Sequence, residues 1–315
     1  MAMREDMLRR IFTPGYVPAS LTNYQAGGNR APFAAAERLK TAARASITAA
    51  DGGAVVQRVM PATSIQGQGG GDYITCGILP QQGDYHLAQV AGDVYAKHSA
   101  LPPGAFRRFT TDELRRYGFD KRMLRDPSSG FQANFYDNGR QVALAFAGTN
   151  DFNDWLTNLR ASLGLRDAQY RASVALARQA KRRFGDKVLF TGHSLGGSLA
   201  AIAAVATGSL AVTFNPAGVA EKTFSRYGAS PVRARWRSGN GSIRCYSGQY
   251  DPLYCVQRLL PLLPRVPGHR ILLRPPEDAA GNVPLLQTMV SIWRSHGIKN
   301  VIAAMARAVK SAAYG

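Results

Sequence analysis

The residues Gly192-His193-Ser194-Leu195-Gly196 have the types and spacing of G-x-S-x-G, the pattern that lifts a serine hydroxyl clear of its own backbone. An aliphatic hydroxyl attacks a carbonyl only when a base takes its proton and fixed donors hold the oxyanion that forms. Gly192 and Gly196 flank the serine because side chains there would collide across a tight, strained turn. Before the turn, Val188-Leu189-Phe190 is apolar and β-prone; after it, Leu195 to Ala204 is built of small helix formers. The stretch therefore reads as strand, turn, helix, with the helix beginning at Ser194. Its first N–H groups and the positive end of its dipole then lie beside the hydroxyl, where an oxyanion needs them. Gly197, Ser198 and Ala200 keep this helix slim against a sheet.

A serine of this kind needs an acid and a histidine, and in α/β-hydrolases the chain order is Ser, acid, His. His193 lies inside the turn, and only His269 and His296 follow Ser194. His269 stands directly before Ile271-Leu272-Leu273, which reads as the final strand, whereas His296 lies in the loop beyond it, where an imidazole can return to the serine. Among later carboxylates Asp251 follows the strand Ile243 to Tyr246, while Asp278 sits in a Pro-Pro-Glu-Asp loop. The expected triad is Ser194 as nucleophile, His296 as proton carrier and Asp251 as the group that holds the imidazole tautomer and stabilises its cation. A mere cap on the helix that begins after Pro252 is the alternative role for Asp251. The chemistry requires neither metal nor cofactor.

The elements that must position these residues can be read in order. Residues 1–72 are rich in Ala, Gly, Gln, Ser, Thr and Arg, with one helical stretch at Pro32 to Ala45 and a Gly/Gln-rich end; they read as a weakly ordered leader before a catalytic domain at 73–315. A helix is expected over Asp84 to Ala100, with His86 and His98 on it as surface or core residues, and further helical turns over Thr110 to Leu124. Gly130 to Tyr136 and Gln141 to Phe146, joined through Asp137-Asn138-Gly139, form a hairpin. The second of these strands runs into Ala147-Gly148-Thr149, the place where an α/β-hydrolase sets its other oxyanion donor. An Arg-rich helix over Gln169 to Phe184 leads into the strand before Ser194. Leu199 to Phe214 reads as a buried helix and a buried strand rather than a membrane span. The expected fold is α/β, a mostly parallel central sheet with helices on both faces.

In 315 residues, 39 Lys and Arg face 20 Asp and Glu, a formal net charge of +19 that predicts attraction to polyanions. Anionic membrane and nucleic acid both qualify, but no reading helix or zinc pattern accompanies the charge, so no specific nucleic acid is expected. A solvated Arg-rich surface accounts for the same excess. The cysteines Cys76, Cys245 and Cys255 imply no disulfide framework, and only the fold can say whether Cys245 and Cys255 meet. Residues 1–20 carry basic side chains without the apolar run of a Sec signal peptide, so cytoplasmic synthesis is expected, followed by export through a specialised secretion system that the leader would serve.

AFAGTNDFNDWLTNL, followed about thirty residues later by LFTGHSLGGSLA, resembles the class 3 (fungal-type) lipases, and most closely their bacterial lipase and phospholipase effector relatives. The resemblance runs from Asp84 to the C-terminus. It implies oxyanion donors at Thr149, through its backbone N–H and hydroxyl, and at the N–H of Leu195; an ordinary turn role for Thr149 is the alternative. It also matches Asp251 in YSGQYDPL and His296 in HGIKNVI to the acid and the histidine. Separately, Phe152 to Leu163 is a candidate lid whose movement would admit substrate. Ala147 stands where an Arg or other polar residue is common in the family. The function implied is hydrolysis of acyl esters of membrane phospholipid or acylglycerol, by a phospholipase A or lipase acting as a bacterial effector on an anionic membrane surface. An immunity protein, chaperone or activator would be its protein partner. Leu259 to Pro264 and Trp236 between Arg235 and Arg237 suit such an interface, though a buried core explains the former equally. A carboxylesterase or thioesterase with a soluble substrate, and a basic non-catalytic membrane- or nucleic-acid-binding protein on a hydrolase fold, are the alternatives.

Overall fold

The computed structural model describes residues 58–59, 73–148, 162–249, 251–259, 263–273 and 296–313. The expected helix at Pro32 to Ala45, the Thr149 donor and most of the lid segment lie outside them. All the described residues fall within one compact unit, 53–152 with 160–315.

The strands are β1 (Arg58–Val59), β2 (Arg107–Arg108), β3 (Arg125–Asp126), β4 (Phe131–Asp137), β5 (Val142–Phe146), β6 (Val188–His193), β7 (Leu210–Phe214), β8 (Ile243–Gly248) and β9 (His269–Leu273). Among the described residues they pair in the order β1-β9-β8-β7-β6-β5-β4-β2, with β3 joined to the side of β4. From β5 to β1 every pairing is parallel, and β4 and β2 close one edge antiparallel. A parallel sheet must be covered on both faces, and β6 and β5 are buried at every residue. The helices are α1 (Gln82–Asp93), α2 (Thr111–Arg116), α3 (Lys121–Leu124), α4 (Ser162–Phe184), α5 (Leu195–Thr207), α6 (Glu221–Arg226), α7 (Pro231–Asn240), α8 (Pro252–Leu259) and α9 (Ile298–Ala313). This is the α/β-hydrolase arrangement.

Two cores result, one on each face. Leu87, Val90 and Ala91 of α1 meet Val301 and Met305 of α9 over Ala143, Leu189, Val212 and Ile271. On the other face Leu199, Ile202 and Ala203 of α5 pack with Val174 and Ala177 of α4 over Leu144 and Phe190. Helix α5 is apolar all round, as a helix enclosed by sheet and neighbours must be. Burying each Leu, Ile or Phe here contributes about 1.5–3 kcal/mol.

Two expected helix bounds need correction. The helix expected over Asp84 to Ala100 ends at Asp93, because the chain is turned back there: the Arg108 guanidinium takes the carbonyls of Asp93, Ala96 and Lys97, and the Asp93 carboxylate takes the Ala100 N–H at 3.0 Å. Arg58–Val59 pairs in parallel with Ile271 and Leu272 at the edge of the sheet. Helix α4 begins seven residues before Gln169, at Ser162. The hairpin and the helix-strand reading of Leu199 to Phe214 appear as β4–β5 and α5–β7. Cys76, Cys245 and Cys255 form no disulfide with one another. Among the described residues no helix is long and apolar enough to cross a membrane.

Candidate active site

Ser194 sits between the end of β6 and the start of α5 with φ 57° and ψ −124°, a left-handed conformation that a side chain other than glycine adopts only under constraint. The constraint is visible in the hydrogen bonds. Ser194 N–H donates to Phe214 O at 3.0 Å, and its carbonyl accepts from Ala217 N–H at 3.1 Å, so β7 and the loop after it grip the turn on both sides. A Cβ on Gly192 would overlap the backbone of Gly196, and one on Gly196 would overlap the carbonyl of Phe146 on β5. Glycine at these two places is what lets the turn close against the neighbouring strand. The Leu195 N–H begins α5, among the amides that a helix start leaves without intrahelical partners.

The end of β5 comes up beside this amide. Gly148 lies so near that a Cβ on it would stand 3.2 Å from Leu195 N. Its N–H donates to the Tyr95 hydroxyl at 2.7 Å. Burial pushes the Tyr95 phenol up to about 12, with the Gly148 hydrogen bond pulling the other way, so the hydroxyl stays protonated. Thr149 follows directly and is outside the described residues.

Asp251 and His296 are forty-five positions apart in sequence and meet at the C-terminal ends of the strands. His296 Nδ1 lies 2.6 Å from Asp251 Oδ2, with both side chains buried. The other carboxylate oxygen of Asp251, Oδ1, accepts the Tyr254 N–H at 2.9 Å. The two roles weighed for Asp251, helix cap and histidine partner, are thus filled at once by its two oxygens. With Nδ1–H committed to the carboxylate, the neutral imidazole keeps its basic lone pair on Nε2. His269 is buried at the opposite end of β9, in register with Arg244. Four residues of strand, about 13 Å, separate it from the strand end, so it is remote from Asp251.

Asn215 was not foreseen as part of this neighbourhood, and His193 was foreseen only as a residue of the serine turn. His193 Nε2 lies 2.6 Å from the His296 carbonyl oxygen, and Asn215 Nδ2–H donates to the same oxygen at 3.0 Å. Burial, reinforced by the charge of His296, holds the His193 imidazole down to about 3, so it stays neutral across the physiological range. A signal for Asn215 existed in the sequence, an Asn before Pro at the end of the strand that must lie next to the serine strand. For Tyr95, just past α1, there was none.

The apolar side chains Val232 and Trp236 lie one turn apart on α7 and are 70% and 63% exposed. Leu259 to Leu262 includes side chains outside those described.

The chain matches the Tle-like phospholipase domain of the phospholipase-like family over residues 86–313. It is 44% identical over 243 residues, 74% of this chain and 73% of the relative, to an extracellular phospholipase A1 of Serratia liquefaciens. Among solved structures, the thermostable carboxylesterase EstE1 from a metagenomic library is matched with a TM-score of 0.27 and 12% identity, over 73% of this chain and 95% of that one, a likeness too slight to carry an assignment. The family match spans most of the chain and takes in both the serine turn and the Asp251–His296 pair, and the protein therefore belongs to the Tle-like phospholipase domain family.

Proposed function

We propose that the protein is a serine esterase that hydrolyses the acyl ester bonds of membrane phospholipids, as a phospholipase A. Ser194 attacks the ester carbonyl, His296 Nε2 takes the proton and returns it to the leaving alcohol, and Asp251 holds the imidazole through Nδ1 and stabilises its cation. The Leu195 N–H and Thr149 hold the oxyanion. The observation that carries this reading is the buried 2.6 Å contact of His296 Nδ1 with Asp251, brought to the same end of the sheet as a strained serine turn. The kinship with an extracellular phospholipase A1 supports phospholipid as the substrate class. The finer placement with class 3 lipases rests on the Gly-Thr strand end and the Asp-Trp segment. The formal charge of +19 and the exposed Trp236 and Val232 suit an anionic lipid surface. A role as an exported effector with an immunity, chaperone or activator partner, and a division into a leader at 1–72 and a catalytic domain at 73–315, complete the proposal.

The test is fatty-acid release from vesicles of phosphatidylglycerol or phosphatidylethanolamine and from triacylglycerol emulsion, comparing wild type with Ser194→Ala and His296→Ala. Phospholipid cleavage that falls on the order of a million-fold in both variants is expected. Turnover of soluble esters alone would remove the membrane-lipid part of the proposal, and full activity in either variant would remove the triad.

A further inference from the structure

His193 and Asn215 take no part in the bond-making proposed above, yet both end on one atom, the carbonyl oxygen of His296. A carbonyl only accepts, so His193 carries its proton on Nε2, and the two donors occupy both lone pairs of that oxygen. The Asn215 carboxamide also faces the other way: its Oδ1 accepts the Gly248 N–H at 2.8 Å, and the Gly248 carbonyl accepts the Asp251 N–H at 2.9 Å. One side chain thus joins the loop of the acid to the loop of the histidine. Asn215 is held for this at φ 42°, where asparagine is better tolerated than most residues, with its own N–H on Tyr246 O at 2.8 Å. His193 is the residue before Ser194, so the anchor of the base and the nucleophile are adjacent in the chain. The side chains of His193, Asn215, Asp251 and His296 are buried, which makes their hydrogen bonds costly to lose.

We infer that His193 and Asn215 are positioning residues for the reaction: by clasping the His296 carbonyl from the ends of β6 and β7, they set the backbone from which the His296 imidazole spans Asp251 and the serine. The inference rests on the triad proposed above. Neutrality is part of the role. The His193 and His296 rings are 4.8 Å apart, centre to centre, and a charged His193 would oppose the imidazolium that forms on His296. Its strongly depressed pKa removes that charge and keeps it from competing as a base.

The experiment compares the full chain with His193→Phe, His193→Gln and Asn215→Gly, with Ser194→Ala as control. It reads kcat and KM on a soluble short-chain nitrophenyl ester, and the downfield proton resonance of the His296 Nδ1–H. His193→Phe and Asn215→Gly are each expected to lower kcat about 10- to 100-fold with KM within about twofold, and to weaken or broaden that resonance. His193→Gln, which keeps a side-chain N–H for the carbonyl, is expected to recover most of the lost kcat. Unchanged kcat in folded His193→Phe and Asn215→Gly, or an equal loss in Gln and Phe at position 193, would overturn the inference. Should His193→Phe fail to fold, Asn215→Gly, which suits the positive φ, decides. Activity surviving in Ser194→Ala would instead sink the triad and the positioning role together, a pattern distinct from a dead Ser194→Ala beside fully active His193→Phe and Asn215→Gly.

Discussion

Strand β8 carries a buried acid–base pair at each end, and the two are built for opposite purposes. At its start Arg244 donates to Asp84 on α1 through Nε at 2.7 Å and Nη2 at 2.6 Å, while Nη1 donates to Thr75 O at 2.7 Å. The Tyr246 hydroxyl adds a third bond to Asp84 at 2.7 Å. Beyond its other end Asp251 meets His296 through one bond, its second oxygen being spent on the Tyr254 N–H. Both pairs suffer the cost of desolvating a carboxylate, so burial does not distinguish them. The cation does. A guanidinium never gives up its proton at working pH, and the bidentate fork leaves it fully engaged; an imidazole as a class titrates near neutrality and has a second nitrogen to use. The first pair is a permanent brace between α1 and the sheet. The second has a ring nitrogen left over to pass a proton, as the proposed triad requires.

Breaking the proposed catalytic pair should have the largest effect. Asp251→Asn keeps an oxygen for the Tyr254 cap but presents the imidazole with a partner that favours the wrong tautomer; kcat is expected to fall about 10⁴-fold, with a melting temperature within about 4 °C of wild type. Asp84→Ala should do the reverse. It leaves Arg244 buried without its counter-charge, so denaturant unfolding is expected to show a loss of about 3–5 kcal/mol, while turnover per active-site-titrated molecule stays at the wild-type value. Replacing both partners, Asp84→Leu with Arg244→Met, should recover much of that loss. Abolished turnover in a well-folded Asp84→Ala protein would erase the distinction between the two pairs.

A third pair, on the surface, sharpens the comparison from the weak side. Glu113 is held down to about 2, first by the Arg107 guanidinium at 2.6 Å and then by the Thr110 N–H. Arg107 is more than half exposed, so water screens the pair, and Glu113→Gln is expected to cost less than about 1 kcal/mol. Because the folded carboxyl has the lower pKa, the advantage of wild type is present above the unfolded value of about 4.3 and fades as pH falls toward 2. Unfolding curves of the two proteins at pH 7 and pH 2.5 should therefore converge at the lower pH.

What could be read from the residues alone was local. The serine turn is contained in the consecutive positions Val188 to Ala204, strand, G-x-S-x-G and small-residue helix, and steric exclusion at Gly192 and Gly196 leaves those residues few other shapes. The β4–β5 hairpin was legible for the same reason, a turn sequence between two apolar runs. Chain order and strand ends were enough to point to Asp251 and His296, but not to show that one carboxylate serves a helix cap and a histidine together. The rest belongs to tertiary structure. The end of α1 depends on Arg108, fifteen residues on. The brace of Asp84 by Arg244 spans 160 residues, and the clasp of His193 and Asn215 on His296 spans 103 and 81. Polar side chains such as these find their partners only when long crossovers set parallel strands side by side and pack helices and loops across their ends, and no local pattern of hydrophobicity or propensity records that meeting.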